Sequence, residues 1–223
     1  MRTLSILKTV SAVAAVSAVA ITATTGKASA ISIDLFSSPT QVASSFTYNN
    51  VTPGNNLTAT GSVNILGVTQ ARNVFRSSDG LGVTINNSPL ESNKVDGFLL
   101  PETLTLAFTQ AVNLTSVSFT GVGLLDSFTF LNGGTSVFTQ NIPGQLLGNG
   151  TYTYNFNFNS PQTGTSFGFR ASQLTSAFYV SSVNVAAVPE PITMAGMVLG
   201  SGFGVLLRRK YKKAAKFSNK LST

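Results

Sequence analysis

Between residues 31 and 187 the chain carries six carboxylates, Asp34, Asp79, Glu91, Asp96, Glu102 and Asp126, against four cations, Arg72, Arg76, Lys94 and Arg170. It has no histidine, no cysteine and no tryptophan. A Ser-His-Asp triad, a thiolate nucleophile, a zinc site of the usual ligands and haem attachment through cysteines are therefore excluded. Carboxylates remain as the chemically active groups, and two at the right separation can hydrolyse a glycosidic bond. These six are scattered, and no indole is present to stack a sugar, so no enzymatic activity and no cofactor is expected. Asp79, Asp96 and Glu102 fall in one loop-rich stretch with Asn93 nearby, and a hard cation such as calcium would draw on oxygen ligands of this kind. Acids that simply face water at turns and strand ends give the same pattern, so no metal is assigned. The remaining ligand feature is aromatic. Tyr48, Tyr152, Tyr154 and Tyr179 each offer a flat apolar face and a hydroxyl, and Tyr152 and Tyr154 make a candidate glycan platform. On alternating strands the same residues serve as core.

The elements that must hold these groups follow from a period of two. Tyr152, Tyr154, Phe156 and Phe158 are separated by Thr153, Asn155 and Asn157, and Leu104, Leu106 and Phe108 by Thr105 and Ala107. Such alternation describes half-buried antiparallel strands. Shorter runs lie at 31–36, 42–48, 63–68, 74–75, 114–119, 127–131, 166–170 and 178–185. Turn formers separate them: Pro53-Gly54-Asn55-Asn56, Asp79-Gly80, Asn132-Gly133-Gly134, Pro143-Gly144 and Ser160-Pro161. No long amphipathic helix is legible. The pattern predicts an all-β fold, an antiparallel β-sandwich of jelly-roll type, in which abundant Ser, Thr and Asn cover the solvent faces. Without cysteines, burial alone must hold it together.

The ends of the chain read differently. The net charge of +7 arises from them, because three cations lie before residue 31 and seven after Leu207. The 31–187 region itself carries −2 from its four cations and six acids, which removes the argument for nucleic-acid binding. Arg2 and Lys8, an apolar run from Val10 to Ile21, and small residues at Ala28-Ser29-Ala30 form a signal peptide with cleavage expected after Ala30. At the other end stand Val188-Pro189-Glu190-Pro191, sixteen uncharged residues from Ile192 to Leu207, and a cluster of Arg208, Arg209, Lys210, Lys212 and Lys213. The prolines make the tetrapeptide an extended hinge. A helix over 192–207 would cover about 24 Å, a minimal membrane span, flanked by the cations that the positive-inside rule places in the cytoplasm. The predicted layout is a signal peptide at 1–30, an extracytoplasmic domain at 31–187, a sorting and anchoring segment at 188–213 and a cytoplasmic tail at 214–223.

The order of tetrapeptide, span and basic cluster resembles the PEP-CTERM sorting signal of Gram-negative or cyanobacterial type. That resemblance implies Pro189, Glu190 and Pro191 as the element read by an exosortase-like enzyme, 192–207 as the membrane stop, and Arg208 and Arg209 as the orientation signal. It further implies signal peptidase as a partner, an inner-membrane-anchored precursor, delivery to the cell surface or matrix, and a link to extracellular polysaccharide or biofilm. Asp79-Gly80-Leu81-Gly82-Val83, Val95-Asp96-Gly97 and Glu102 to Phe108 resemble a pattern in exported domains with this tail, which implies a shared sandwich and brings no enzymatic activity. The last strand also resembles those that close carbohydrate-binding jelly rolls. Ser181 and Ser182 stand where two acids would there help hold a structural calcium.

Overall fold

Alternation of apolar and hydroxyl side chains, the strongest local signal in the sequence, is realised as strands throughout. The computed structural model describes residues 29–85, 92–98, 100–144 and 152–188, and every regular element among them is a β-strand. They are β1 (Ile31–Asp34), β2 (Gln41–Ala43), β3 (Ser45–Thr52), β4 (Asn55–Ile65), β5 (Val68–Ser77), β6 (Gly80–Thr84), β7 (Val95–Asp96), β8 (Glu102–Thr120), β9 (Ser127–Asn132), β10 (Thr135–Asn141), β11 (Thr153–Ala171) and β12 (Ala177–Ala187). All pairings are antiparallel, as predicted.

Two long strands, β8 and β11, organise the fold by serving two neighbourhoods each. The first half of β8 pairs with β4 through Leu57↔Phe108 to Val63↔Glu102, and its second half pairs with β12 through Tyr179↔Thr120 to Ala187↔Val112. β11 follows it, opposing the second half of β8 with residues 153–164 and the first half with residues 166–170. The ladder closes on itself, since β8 meets β12, β12 meets β6, β6 meets β5, β5 meets β4 and β4 returns to β8. The step of β8 from one partner to the next is pinned by the buried Asn55. Its carboxamide donates to Gln110 O at 3.1 Å and accepts from Gln110 N at 3.1 Å and Thr109 Oγ1 at 2.9 Å, which satisfies main-chain groups that no strand reaches.

The core lies between the two neighbourhoods and is aromatic. Phe119 of β8 sits 4.7 Å from Phe128 of β9, 5.9 Å from Phe169 of β11 and 5.2 Å from Phe178 of β12, centroid to centroid. Phe130 extends the cluster to Phe158, Phe167 and Phe138. Stacked, tilted and edge-on pairs of this kind add about 0.5–1.5 kcal/mol each to the burial term.

Several boundaries depart from the sequence reading, each for a local reason. The apolar run at 63–68 is two strands, because Leu66 and Gly67 both have positive φ (51° and 86°) and form a two-residue hairpin turn. Asn64 Oδ1 accepts the Gly67 N–H at 2.9 Å, and Leu66 is fully exposed at the tip. Ser160-Pro161, read as a turn, lies within β11 as an irregularity between Asn157 and Gln162. Among the described pairings residues 153–164 meet only β8, so β11 is an edge there and the missing proline N–H breaks no ladder. Runs 104–108 and 114–119 belong to one strand. The apolar phase of β8 is even-numbered through Leu114 and odd-numbered from Val117, and a register shift opposite Asn184 and Val185 absorbs the extra residue.

The expectations for the chain ends fall largely outside the described residues. Ala28 of the cleavage site, Pro189, Glu190 and Pro191 of the tetrapeptide, the 192–207 span and the cations Arg208, Arg209, Lys210, Lys212 and Lys213 all lie there. Ala30 is exposed immediately before β1, and Val188 is half-buried immediately after β12. Among the described residues no helix is long and apolar enough to cross a membrane.

Candidate functional site

Three separate stretches of sequence alternate valine or phenylalanine with small polar residues: Ser116 to Phe119, Asn155 to Asn157 and Ser182 to Val185. In a strand the apolar members turn to the core and the others turn out. Register then aligns the outward ones across four strands. Asp34 of β1 opposes Ser182 of β12, Ser182 opposes Ser118 of β8, and Ser118 opposes Asn155 of β11. A second row runs parallel to it as Ser32, Asn184, Ser116 and Asn157, in which Ser116 is buried. Three interstrand steps of about 4.8 Å make each row about 14 Å wide. Within the rows Ser118 Oγ bonds Asn155 Oδ1 at 2.6 Å, and Asn184 Nδ2 donates to Ser116 Oγ at 2.7 Å.

The first row floors an open groove of about 400 Å³, walled by Phe36, Ser78, Asp79, Thr120, Thr153 and Ser181. That volume is in the range of small-molecule sites. A second register shift, between Val180 and Ser182, shapes its base. There the buried Ser181 donates through its hydroxyl to Ser118 O at 3.1 Å. Bulges commonly re-aim side chains beside binding sites in this way.

Phe36 is half exposed at the groove, and its backbone is fastened on both sides. Leu35 N donates to Ser181 O at 2.9 Å, Ser37 N donates to Ser77 O at 2.8 Å, and Leu35 itself is fully buried. The ring therefore stands on a fixed support. Asp79 reaches the opposite wall through a turn that only glycine completes. Gly80 has φ of +132°, and a Cβ there would lie 2.5 Å from Val180 O. The Thr120 hydroxyl donates to the Asp79 carbonyl and locks that turn, and Asp79 N donates to Ser77 Oγ at 3.2 Å. The lining thus contains two carboxylates, hydroxyls, one carboxamide and one aromatic ring, with no cation.

The acids singled out from the sequence separate into two places. Asp79 belongs to the groove. Asp96 ends β7 and Glu102 opens β8, at the two sides of the connecting loop, where Asp96 N donates to Glu102 Oε2 at 3.2 Å and Phe98 N donates to Asp96 Oδ1 at 3.3 Å. Ser92 Oγ donates to Asp96 Oδ2. Their carboxylates therefore order main chain, and among the described residues no three His, Cys, Asp or Glu side chains group as a metal would require. Asn93 accepts from Thr84 Oγ1 at 2.8 Å. Asp126 is buried, accepting from Gly123 N at 2.5 Å and Ala177 N at 3.1 Å, and burial raises its pKa despite those bonds and the nearby Lys94 charge.

The tyrosines divide similarly. Tyr152, just before β11, and Tyr154 on its inward face are half-buried and pack against the core beside Phe156 and Phe158. The edge position of this stretch is what leaves all four part-exposed. Tyr48 donates its hydroxyl to Leu35 O at 2.9 Å, with the Arg76 guanidinium 5.8 Å from its ring. Tyr179 stacks on Phe75 at 6.3 Å with Lys94 Nζ 5.7 Å from its ring, and burial together with the Asp79 charge raises its pKa. The residues that sequence reasoning missed are Asp34, Phe36, Ser118, Asn155 and Ser182. For Ser118, Asn155 and Ser182 the linear signal was the repeated small-polar alternation in strands remote from one another.

No family model matches the chain, and no curated protein matches it. Among solved structures it is similar to the family 32 carbohydrate-binding module of C. perfringens NanJ in complex with galactose, at 18% identity and a TM-score of 0.33, over 59% of this chain and 93% of that one. It is also similar to CpGH89CBM32-5 from Clostridium perfringens in complex with GalNAc-β-1,3-galactose, at 16% identity and a TM-score of 0.25, over 40% of this chain and 67% of that one. Both superpositions are too loose to transfer a binding site.

Proposed function

We propose that this chain is a non-enzymatic exported protein of the cell surface or extracellular matrix, and that its β-sandwich, jelly-roll in type, is a structural or adhesive module in contact with exopolysaccharide. The observation that carries the reading is the outward face of β1, β12, β8 and β11, where hydroxyl and amide groups, with Asp34 as the one carboxylate of the two rows, stand in register over an aromatic core. A surface of that composition exchanges hydrogen bonds with a hydrated polysaccharide and adds little net charge. In this reading the segment before Ile31 directs export, 192–207 holds the precursor in the inner membrane, and an exosortase-like enzyme acts at 188–191. The strand ends support it, because β1 starts at Ile31 and β12 stops at Ala187. Cleavage after Ala30 and again within 188–191 would leave every described strand whole.

Intact masses of the protein recovered from the membrane and extracellular fractions of its host test the reading. A released species beginning at Ile31 and ending between Val188 and Pro191 is expected, enriched in the polysaccharide matrix. A full-length species confined to the inner membrane overturns it in favour of a permanently anchored protein.

A further inference from the structure

We infer that the groove between Phe36 and Asp79 is a saccharide site that selects sugars without acid groups, and that the polar row beside it carries the continuing chain across the sheet. The inference rests on the polysaccharide contact proposed above and assigns it a place and a charge rule. Its parts have complementary tasks. A pyranose ring presents a weakly apolar C–H face and a rim of hydroxyls. The fixed, half-exposed ring of Phe36 suits the face. The carboxylates of Asp34 and Asp79 accept from hydroxyls, and such charge-assisted bonds are the stronger kind. Ser182, Ser118, Thr153 and Asn155 supply groups that both donate and accept, matching hydroxyls in either role.

The charge rule follows from what faces the ligand. Two carboxylates and no cation line the groove, so a uronate or sulfated sugar would bring a third negative charge against them with no counterion. The row of Ser32, Asn184, Ser116 and Asn157 lies beside Asp34, Ser182, Ser118 and Asn155 and contains no charged residue. A neutral chain seated in the groove can therefore extend over that row without desolvating a charge. The core-facing Tyr152 and Tyr154 have no part in this site.

The test is affinity electrophoresis of the full-length chain in a mild neutral detergent, through gels containing a neutral β-glucan, a neutral galactan or polygalacturonate. Retardation by a neutral polymer and none by polygalacturonate is expected. Phe36→Ala and Asp34→Asn should each weaken the retardation about ten-fold or more, the size expected for losing a ring contact or a charge-assisted bond. Ser182→Arg, which fills the floor of the groove, should abolish it, and unchanged melting temperatures of the Phe36→Ala and Asp34→Asn variants exclude misfolding as the cause. Retardation that survives Phe36→Ala and Ser182→Arg overturns the groove while leaving polysaccharide contact in place elsewhere. Preference for polygalacturonate, or no retardation by either neutral polymer, also overturns it. The broader reading is decided separately by the fractionation masses.

Discussion

Neighbouring residues on β8 have opposite fates. Val117 and Phe119 turn into the aromatic core, while Ser118 between them turns out into the polar rows, and the same division holds for Val183 and Val185 against Ser182 and Asn184 on β12. One face packs the aromatic core away from water. The other contributes little apolar burial, yet it gathers hydroxyls, amides and the Asp34 carboxylate from four strands. A chain without disulfides places its stability almost wholly on the first face, so the second is free to vary with whatever it contacts. Substitutions one position apart should therefore separate folding from recognition.

The strongest test of that division is Phe119→Ala. The ring is fully buried among Phe128, Phe169 and Phe178, and removing such a side chain costs about 3–5 kcal/mol. Equilibrium urea unfolding should show the midpoint falling steeply, and a cost below about 1 kcal/mol would remove the aromatic cluster from its place as the principal support. Gly80→Ala comes next and is the one substitution expected to damage both faces. It forces a non-glycine residue to φ near +132° and drives a Cβ to within 2.5 Å of Val180 O, a strain of about 1–3 kcal/mol or more. Asp79 moves with the turn, so saccharide retardation should fall together with the melting temperature. Retained retardation at a lowered melting temperature would show that the turn positions nothing the ligand uses.

The two faces were not equally legible. The inward face could be read along the chain, because alternation is a local pattern and Leu104, Phe119, Phe169 and Val183 sit within runs that announce strands. Boundaries failed where local pattern and local geometry conflict. Leu66 is apolar yet belongs to a turn tip, and Pro161 is a turn former placed on a strand edge that does not need its N–H. The groove was illegible for a different reason. Asp34, Phe36, Asp79, Ser118, Asn155 and Ser182 come from five parts of the chain, and only strand order and two register shifts bring them together. Residues conspicuous in the sequence went elsewhere: Tyr152 and Tyr154 lie against the core, and Asp96 and Glu102 order the loop before β8. Ser181 and Ser182, notable as the loss of two acids, mark the bulge that forms the groove floor.

A smaller effect should appear in the pH dependence of stability, through a buried acid that belongs to neither face. Burial raises the Asp126 pKa above its ordinary value of 3.8, so between that value and the folded pKa the native state holds more protons than the unfolded one. Its contribution is therefore present below pH 3.8 and lost as pH rises through the folded pKa. Asp126→Asn imitates the protonated acid and keeps an oxygen for the Gly123 or Ala177 N–H. The melting temperature of the parent, relative to this variant, should fall as pH rises over that interval and then level off. A difference that stays constant with pH would mean that the paired N–H groups and Lys94 compensate the burial fully.

The least effect on stability, and so the cleanest division between the faces, is expected of Phe36→Ala. About half of this side chain is already in water, its neighbours Leu35 and Ser37 keep their main-chain bonds to β12 and β5, and Leu35 supplies the buried anchor. Surface truncations of this kind change stability by about 0.5 kcal/mol or less. Urea unfolding of the variant should therefore overlay that of the parent, although the same substitution is expected to weaken saccharide binding about ten-fold or more. A loss of stability beyond about 1 kcal/mol would show instead that the ring closes the end of the sandwich as a structural plug. The ring would then belong with Phe119 on the stabilising side of the comparison, and the groove would lose the apolar surface on which its preference for sugar rests.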